Sequence, residues 1–272
     1  MHIWRKHADP EWVHSHVTNL TRTFGRSLAI IENARNKQAV LEIYCARERA
    51  ARDLVREFGG SVHKLRPDWL RCFAQQARHV PLRVGARLRV LDRRESRGSK
   101  TRSIIIPAEA AFGTGEHATT AMSLRLLERI TRTMPSGWRM LDAGTGSGIL
   151  AIAGHCFGAS DVLAIDNDPL ACATAKRNAR RNRVGPIEFV VGDILQTKLH
   201  GNFDVITANL FSGILMAALP MWSRHLVPRG SIIISGILRT QENLIKRALK
   251  KSALDVVEIR RRGKWIALLA KN

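Results

Sequence analysis

The chain has 272 residues, 44 Lys+Arg against 23 Asp+Glu, and a formal charge of +21. Hydrophobic residues make up 45% and charged residues 25%, which excludes a disordered chain and leaves room for one large domain with a smaller companion. No apolar run approaches the ~18–20 residues of a membrane span. The start, Met1-His2-Ile3-Trp4-Arg5-Lys6-His7, lacks the apolar stretch of a signal peptide. Cys45, Cys72, Cys156 and Cys172 form no Cys-x-x-Cys pair, so no metal and a reducing cytoplasm are expected.

Residues 10–25 start like a helix, with Pro10 and Glu11 in the first turn. Ser27–Glu32 and Ala39–Ala46 read as strands, Arg47–Phe58 as an amphipathic helix stopped by Gly59-Gly60, and Val62–Leu65 as a further strand. This makes 1–66 a small, basic α+β module. Residues 67–102 read as a connector with a strand at Leu88–Leu91 and a polar link at Asp92–Thr101.

From residue 103 the pattern alternates. Strands are expected at Ile104–Ile106, Arg139–Ala143, Val162–Asp166, Glu188–Val191, Asp204–Ala208 and Ser231–Ser235, then Val256–Arg261 and Lys264–Leu269 as a hairpin. Helices are expected at Thr119–Thr131, Ser147–Phe157, Pro169–Asn182, about Gly213–Leu226 and Gln241–Lys251. Alternation of this kind predicts an α/β fold: a doubly wound, mostly parallel sheet over 103–272, with an antiparallel strand from the closing hairpin.

Met140-Leu141-Asp142-Ala143-Gly144-Thr145-Gly146-Ser147-Gly148 ends a strand and opens a helix. Glycines there allow a sharp turn and close approach of a ligand. The third glycine comes one position early for a dinucleotide fingerprint, a spacing suited to a ligand without a pyrophosphate, such as S-adenosylmethionine. Asp166 ends the next strand, 22 residues after Gly144, where a carboxylate can accept from both ribose hydroxyls; Asp168 before Pro169 reads as a helix cap. Asp193 ends the third strand and either accepts from an adenine amino group or caps the next turn. Asn209 ends the fourth, where its amide can hold the cofactor's amino-acid part or an incoming amine. In Ala111–Thr120, Thr119 or Thr120 could cap the following helix or reach a carboxylate.

Phe112-Gly113-Thr114-Gly115-Glu116-His117-Ala118-Thr119-Thr120, with Leu141–Gly148 and Ala208-Asn209-Leu210, resembles the PrmA family, the methyltransferases of large-subunit ribosomal protein eleven. Pro81–Leu88 and Ser235-Gly236-Ile237-Leu238 also fit its pattern. The resemblance covers 67–272 well and 1–66 loosely. It implies a class I, Rossmann-like methyltransferase that methylates lysine and N-terminal amino groups of a ribosomal protein. It carries Thr120, Gly144, Asp166 and Asn209 over as S-adenosylmethionine-binding positions, to which the reading of the glycine loop and strand ends adds Gly146 and Asp193, and makes 1–66 the substrate-recognition module. His117 and Asn209 are the candidate catalytic residues, with Glu116 behind them. The chain departs from the family at Asn209-Leu210-Phe211-Ser212, where the usual segment is Asn-Ile-Leu-Ala, and at Pro107-Ala108-Glu109, where it is Asp-Pro-Gly.

The charge leaves two other functions in view. An RNA methyltransferase or a ribosomal RNA contact would suit +21, although Asn209–Ser212 lacks the Asn/Asp-Pro-Pro-Tyr/Phe segment of enzymes acting on base amino groups. A non-catalytic ribonucleoprotein-binding module is the third. No basic stretch is interleaved with aromatics, as base stacking would need.

Overall fold

The computed structural model describes residues 2–24, 28–32, 39–45, 47–64, 81–93, 101–107 and 117–272. The chain divides into two units, Met1–Ala77 and Arg78–Asn272. Residues 108–116 and most of the stretch 92–101 expected as a polar link lie outside the described residues.

The first unit runs β1 (His2–Ala8), α1 (Pro10–Phe24), β2 (Leu28–Glu32), β3 (Ala39–Cys45), α2 (Glu48–Phe58) and β4 (Ser61–Lys64). Its sheet has the order β2-β3-β1-β4, with every pair antiparallel. This is the split βαβ arrangement. β1 is absent from the sequence reading, because Ile3 and Trp4 are adjacent and both buried while Arg5 and Lys6 follow, so no alternation shows. Its strand character comes from its central place, bonded along its whole length to β3 and over four residues to β4. Trp4 is fully buried and its indole N–H donates to Gly59 O at 2.7 Å, which satisfies the one polar atom that burial would orphan.

The second unit opens with a small sheet, β5 (Leu82–Val84), β6 (Leu88–Leu91) and β7 (Arg102–Ile105). The connector expected over 67–102 is thus partly structured: Val84, Leu88 and Val90 are buried in the same core as Ile104 and Leu126. The main sheet has seven strands: β8 (Trp138–Ala143), β9 (Ala159–Asp166), β10 (Glu188–Val191), β11 (Phe203–Asn209), β12 (Leu226–Leu238), β13 (Asp255–Arg262) and β14 (Trp265–Lys271). Their order is β10-β9-β8-β11-β12-β14-β13, parallel except for β14, which runs antiparallel to both neighbours.

Helices α3 (Ala118–Ile130), α4 (Ile149–Cys156), α5 (Pro169–Arg181), α6 (Ser212–Arg224) and α7 (Glu242–Lys251) cover it. Side chains alternate between two cores: Met140, Val162 and Ala164 pack with α3 and α4, while Leu141, Ala143 and Ile165 pack with α6 and α7. Both faces are buried, as a doubly wound sheet requires. β12 is far longer than the expected Ser231–Ser235, because it starts at Leu226 and accommodates Pro228 outside the main ladder. α6 accordingly stops at Arg224 rather than Leu226.

The chain leaves β8 toward β9 and β10 on one side and returns to β11 and β12 on the other. The carboxyl ends of β8 and its two neighbours therefore flank a topological switch point, the place where open α/β sheets form a ligand crevice.

Candidate functional site

Gly144, Gly146 and Gly148 link β8 to α4 with φ of 72°, 56° and 81°, all in the left-handed region that favours glycine. Two of them are also fixed by packing. A Cβ on Gly144 would lie against Leu210, and one on Gly148 would sit 2.9 Å from Ala175 Cβ. The N–H groups of Gly144 and Thr145 both donate to Ile165 O, at 2.8 and 3.0 Å, so the turn is tied to β9.

Asp166 stands beside that turn with 6% exposure. Its Oδ2 accepts from Gly146 N at 2.9 Å and its Oδ1 from Asp168 N at 3.0 Å, while its carbonyl accepts from Gly192 N at 3.0 Å. One residue thus joins the loops that follow β8, β9 and β10. Asp168 is the N-cap of α5, accepting from Leu170 N at 2.9 Å. Asp193 is exposed and organises its own turn: its carboxylate accepts from Leu195 N and from the Gln196 side chain, and its carbonyl from Gln196 N and Thr197 N.

Asn209 ends β11, and its Nδ2 donates to Thr120 Oγ1 at 3.3 Å. Its Oδ1 is buried with no hydrogen-bond partner among the described residues. Thr119 and Thr120 do not cap α3, as the sequence allowed. They lie inside its first turn, both buried, and the N-cap position belongs to His117, whose side chain makes no cap bond. Instead His117 Nδ1 pairs with Thr119 Oγ1 at 2.7 Å and the ring meets Trp265 edge-on at 5.1 Å. Burial and then the Lys264 charge hold its pKa below the ordinary histidine value. Glu116 lies outside the described residues.

Asp142 is a residue to which the sequence reading gave no role. It is 1% exposed and accepts from Thr207 Oγ1 at 2.6 Å, Thr145 Oγ1 at 2.7 Å and Ala151 N at 3.2 Å. Burial raises its pKa to about 6, the three donors offset part of that, and the Asp166 charge adds to the rise. The available signal was an acid inside the apolar run Met140–Ala143. Four of the six most exposed large apolar side chains among the described residues, Leu170, Val191, Leu195 and Phe211, lie at the ends of β9, β10 and β11 or just beyond them. A rim of this kind suits a ligand with flat apolar surface and a few polar anchors.

The model of the ribosomal protein L11 methyltransferase (PrmA) family matches residues 17–272. The chain belongs to the PrmA family. It is 38% identical over 207 residues to the ribosomal protein L11 methyltransferase of Pelotomaculum thermopropionicum, covering 75% of this chain and 65% of that protein, just under two thirds of its length. The enzyme of the same name from Symbiobacterium thermophilum is 36% identical over 225 residues, covering 80% of this chain and 72% of that protein. Among solved structures, the ribosomal protein L11 methylase of Lactobacillus delbrueckii subsp. bulgaricus superposes with a TM-score of 0.63 at 31% identity, covering 70% of this chain and 97% of that one. PrmA membership agrees with the Rossmann-like fold expected from the sequence. Within the family pattern this chain's Phe211 stands out: its side chain is 76% exposed beside Leu210, whose own side chain packs on Gly144.

Proposed function

We propose that this chain is an S-adenosylmethionine-dependent protein N-methyltransferase acting on lysine and N-terminal amino groups of a ribosomal protein, L11 by kinship with PrmA. The observation that carries the cofactor reading is Asn209 Oδ1. A buried acceptor without a partner costs about 1–3 kcal/mol, and an ammonium group at that strand end would satisfy it.

The remaining positions fit the same ligand. Asp166 would accept from the ribose hydroxyls, Gly144 and Gly146 would present backbone to the amino-acid part, and Thr120 with Asn209 would hold its polar end. Asp193, with Val191 and Leu195 beside it, would border the adenine. When bound, the cofactor supplies a methyl group on a sulfonium centre.

The chain's own residues have little acid–base work to do. The acceptor amine must arrive unprotonated and in line, in a site that excludes water. A free lysine has a pKa near ~10.4, so solvent or the pocket must take its proton. His117 is engaged with Thr119 and packed on Trp265, which supports a structural role rather than that of base. The basic module at 1–66 would recognise the protein substrate. An L11 substrate implies a cytoplasmic site of action; among the described residues no helix is long and apolar enough to cross a membrane.

The test is methyl transfer from labelled cofactor to purified L11 and to naked ribosomal RNA. Label on lysine or the N-terminal amine of the protein is expected. Label on RNA alone would replace this reading with an RNA methyltransferase, and no label on either would remove it.

A further inference from the structure

We propose that the solvent face of α5 binds the sugar–phosphate backbone of a nucleic acid. The reading is independent of methyl transfer and rests on how this helix carries its charge.

On α2, just past α3 and on α7, at least one cation is matched by an acid one turn away. Arg52 pairs with Glu48 at 2.7 Å, Arg132 with Glu128 at 3.0 Å and Lys246 with Glu242 at 2.9 Å. α5 contains no Asp or Glu, and none follows until Glu188. Lys176 and Arg180, one turn apart, and Arg183 just past the helix end are all exposed and form no ion pair with a described residue. Cations in a last turn are favoured by the helix dipole. That accounts for Arg180 but not for Lys176 in the middle of the helix.

The opposite face fixes the presentation. Asn178 is fully buried and donates to Ser147 O at 2.9 Å. Asn182 exchanges two hydrogen bonds with the backbone of Ile105, at 2.6 and 2.8 Å. These amides pin the rotation of the helix, so its cations project from a rigid surface. Arg183 also occupies a position suited to glycine. Its φ is 53°, and Val184 N donates back to Ala179 O at 3.1 Å, closing the helix in a Schellman turn. The left-handed region disfavours a residue with a Cβ, yet a long cation stands there.

The chemistry favours a nucleic acid over an acidic peptide. A peptide partner needs apolar anchors, and the one exposed large apolar side chain of α5, Leu170, lies in its first turn, away from Lys176, Arg180 and Arg183. A phosphate backbone needs only spaced cations, and a chain of +21 draws polyanions from a distance. With no aromatic side chain on this face, the contact is to phosphate and insensitive to base sequence.

The experiment follows the anisotropy of a short fluorescein-labelled single-stranded RNA, without cofactor, against salt concentration. The parent is compared with Lys176→Gln/Arg180→Gln/Arg183→Gln and with the charge-matched control Arg247→Gln/Lys250→Gln/Lys251→Gln on α7. Losing three single-strand phosphate contacts should lower the log–log salt slope by about 2 and the affinity at ~0.1 M salt by about 100-fold. The control should keep most of both. Arg183→Gly serves as a second variant that relieves the left-handed turn: it should raise the melting temperature while lowering the slope by about 0.7. An α5 triple variant that binds like the parent, or a control that loses as much, overturns the proposal. So does a polyglutamate that displaces the RNA as well as an unlabelled RNA of equal charge does, which would mark the face as one for acidic polypeptides.

Discussion

The backbone N–H of Gly146 donates to Asp166 Oδ2 at 2.9 Å, joining the middle glycine of the β8–α4 turn to the carboxylate that ends β9. The residue proposed to hold the ribose is thus also a strut of the loop beside it. Asp166→Asn keeps the shape but replaces one oxygen by a donor. We expect cofactor affinity to fall by roughly 10- to 100-fold, since hydrogen bonds to a charged acceptor are worth ~1.5–3 kcal/mol each. Calorimetric titration with S-adenosylhomocysteine measures it. Unchanged affinity would mean that the carboxylate serves the loop alone.

Asp142 gives a pH signature. Its folded pKa of about 6, raised by burial, lies above the unfolded value near ~3.9. The folded state therefore binds this proton more tightly than the unfolded state. The resulting stabilisation is complete below pH ~4 and is lost as pH rises through ~6, an effect of about 3 kcal/mol at most. Asp142→Asn removes the titration. Its stability relative to the parent should climb between pH 4 and 7, followed by chemical denaturation at several pH values. A difference that stays flat across that range would show that the carboxyl is not held as buried here.

Asn209→Ala should separate stability from function. The substitution removes a buried oxygen that has no partner among the described residues, at the expense of one long bond to Thr120. The melting temperature of the free protein should change little or rise, because deleting an unsatisfied group recovers its desolvation penalty. Methyl transfer should nevertheless drop by at least ~10-fold, the size of about 1.4 kcal/mol. A variant that is strongly destabilised would show instead that the amide is a structural brace.

Gly148→Ala tests the packing of the turn. The new methyl would meet Ala175 at 2.9 Å on a backbone at φ 81°. Left-handed strain alone is ~1–2 kcal/mol, so thermal unfolding should shift down by roughly 3–8 °C for a domain of this size. An unshifted transition would mean that α4 and α5 can separate there without penalty.

The main sheet was legible in the sequence because its signals are local. Strand–glycine–helix order, the acid 22 residues after Gly144, and the cap at Asp168 before Pro169 each depend on neighbours within a turn or a strand. The order in which those strands pair, and hence the crevice that gathers Gly146, Asp166 and Asn209, depends on long-range contacts. So does β1, whose mixed residues become a central strand only between β3 and β4. Asp142 shows the same limit. Its partner Thr207 is 65 positions away, and only the pairing of β8 with β11 turns an acid in an apolar run into a bonded anchor for the glycine turn. Periodicity and capping are written residue by residue. Which buried groups meet is set by tertiary packing, which must close every hydrogen bond that burial removes from water.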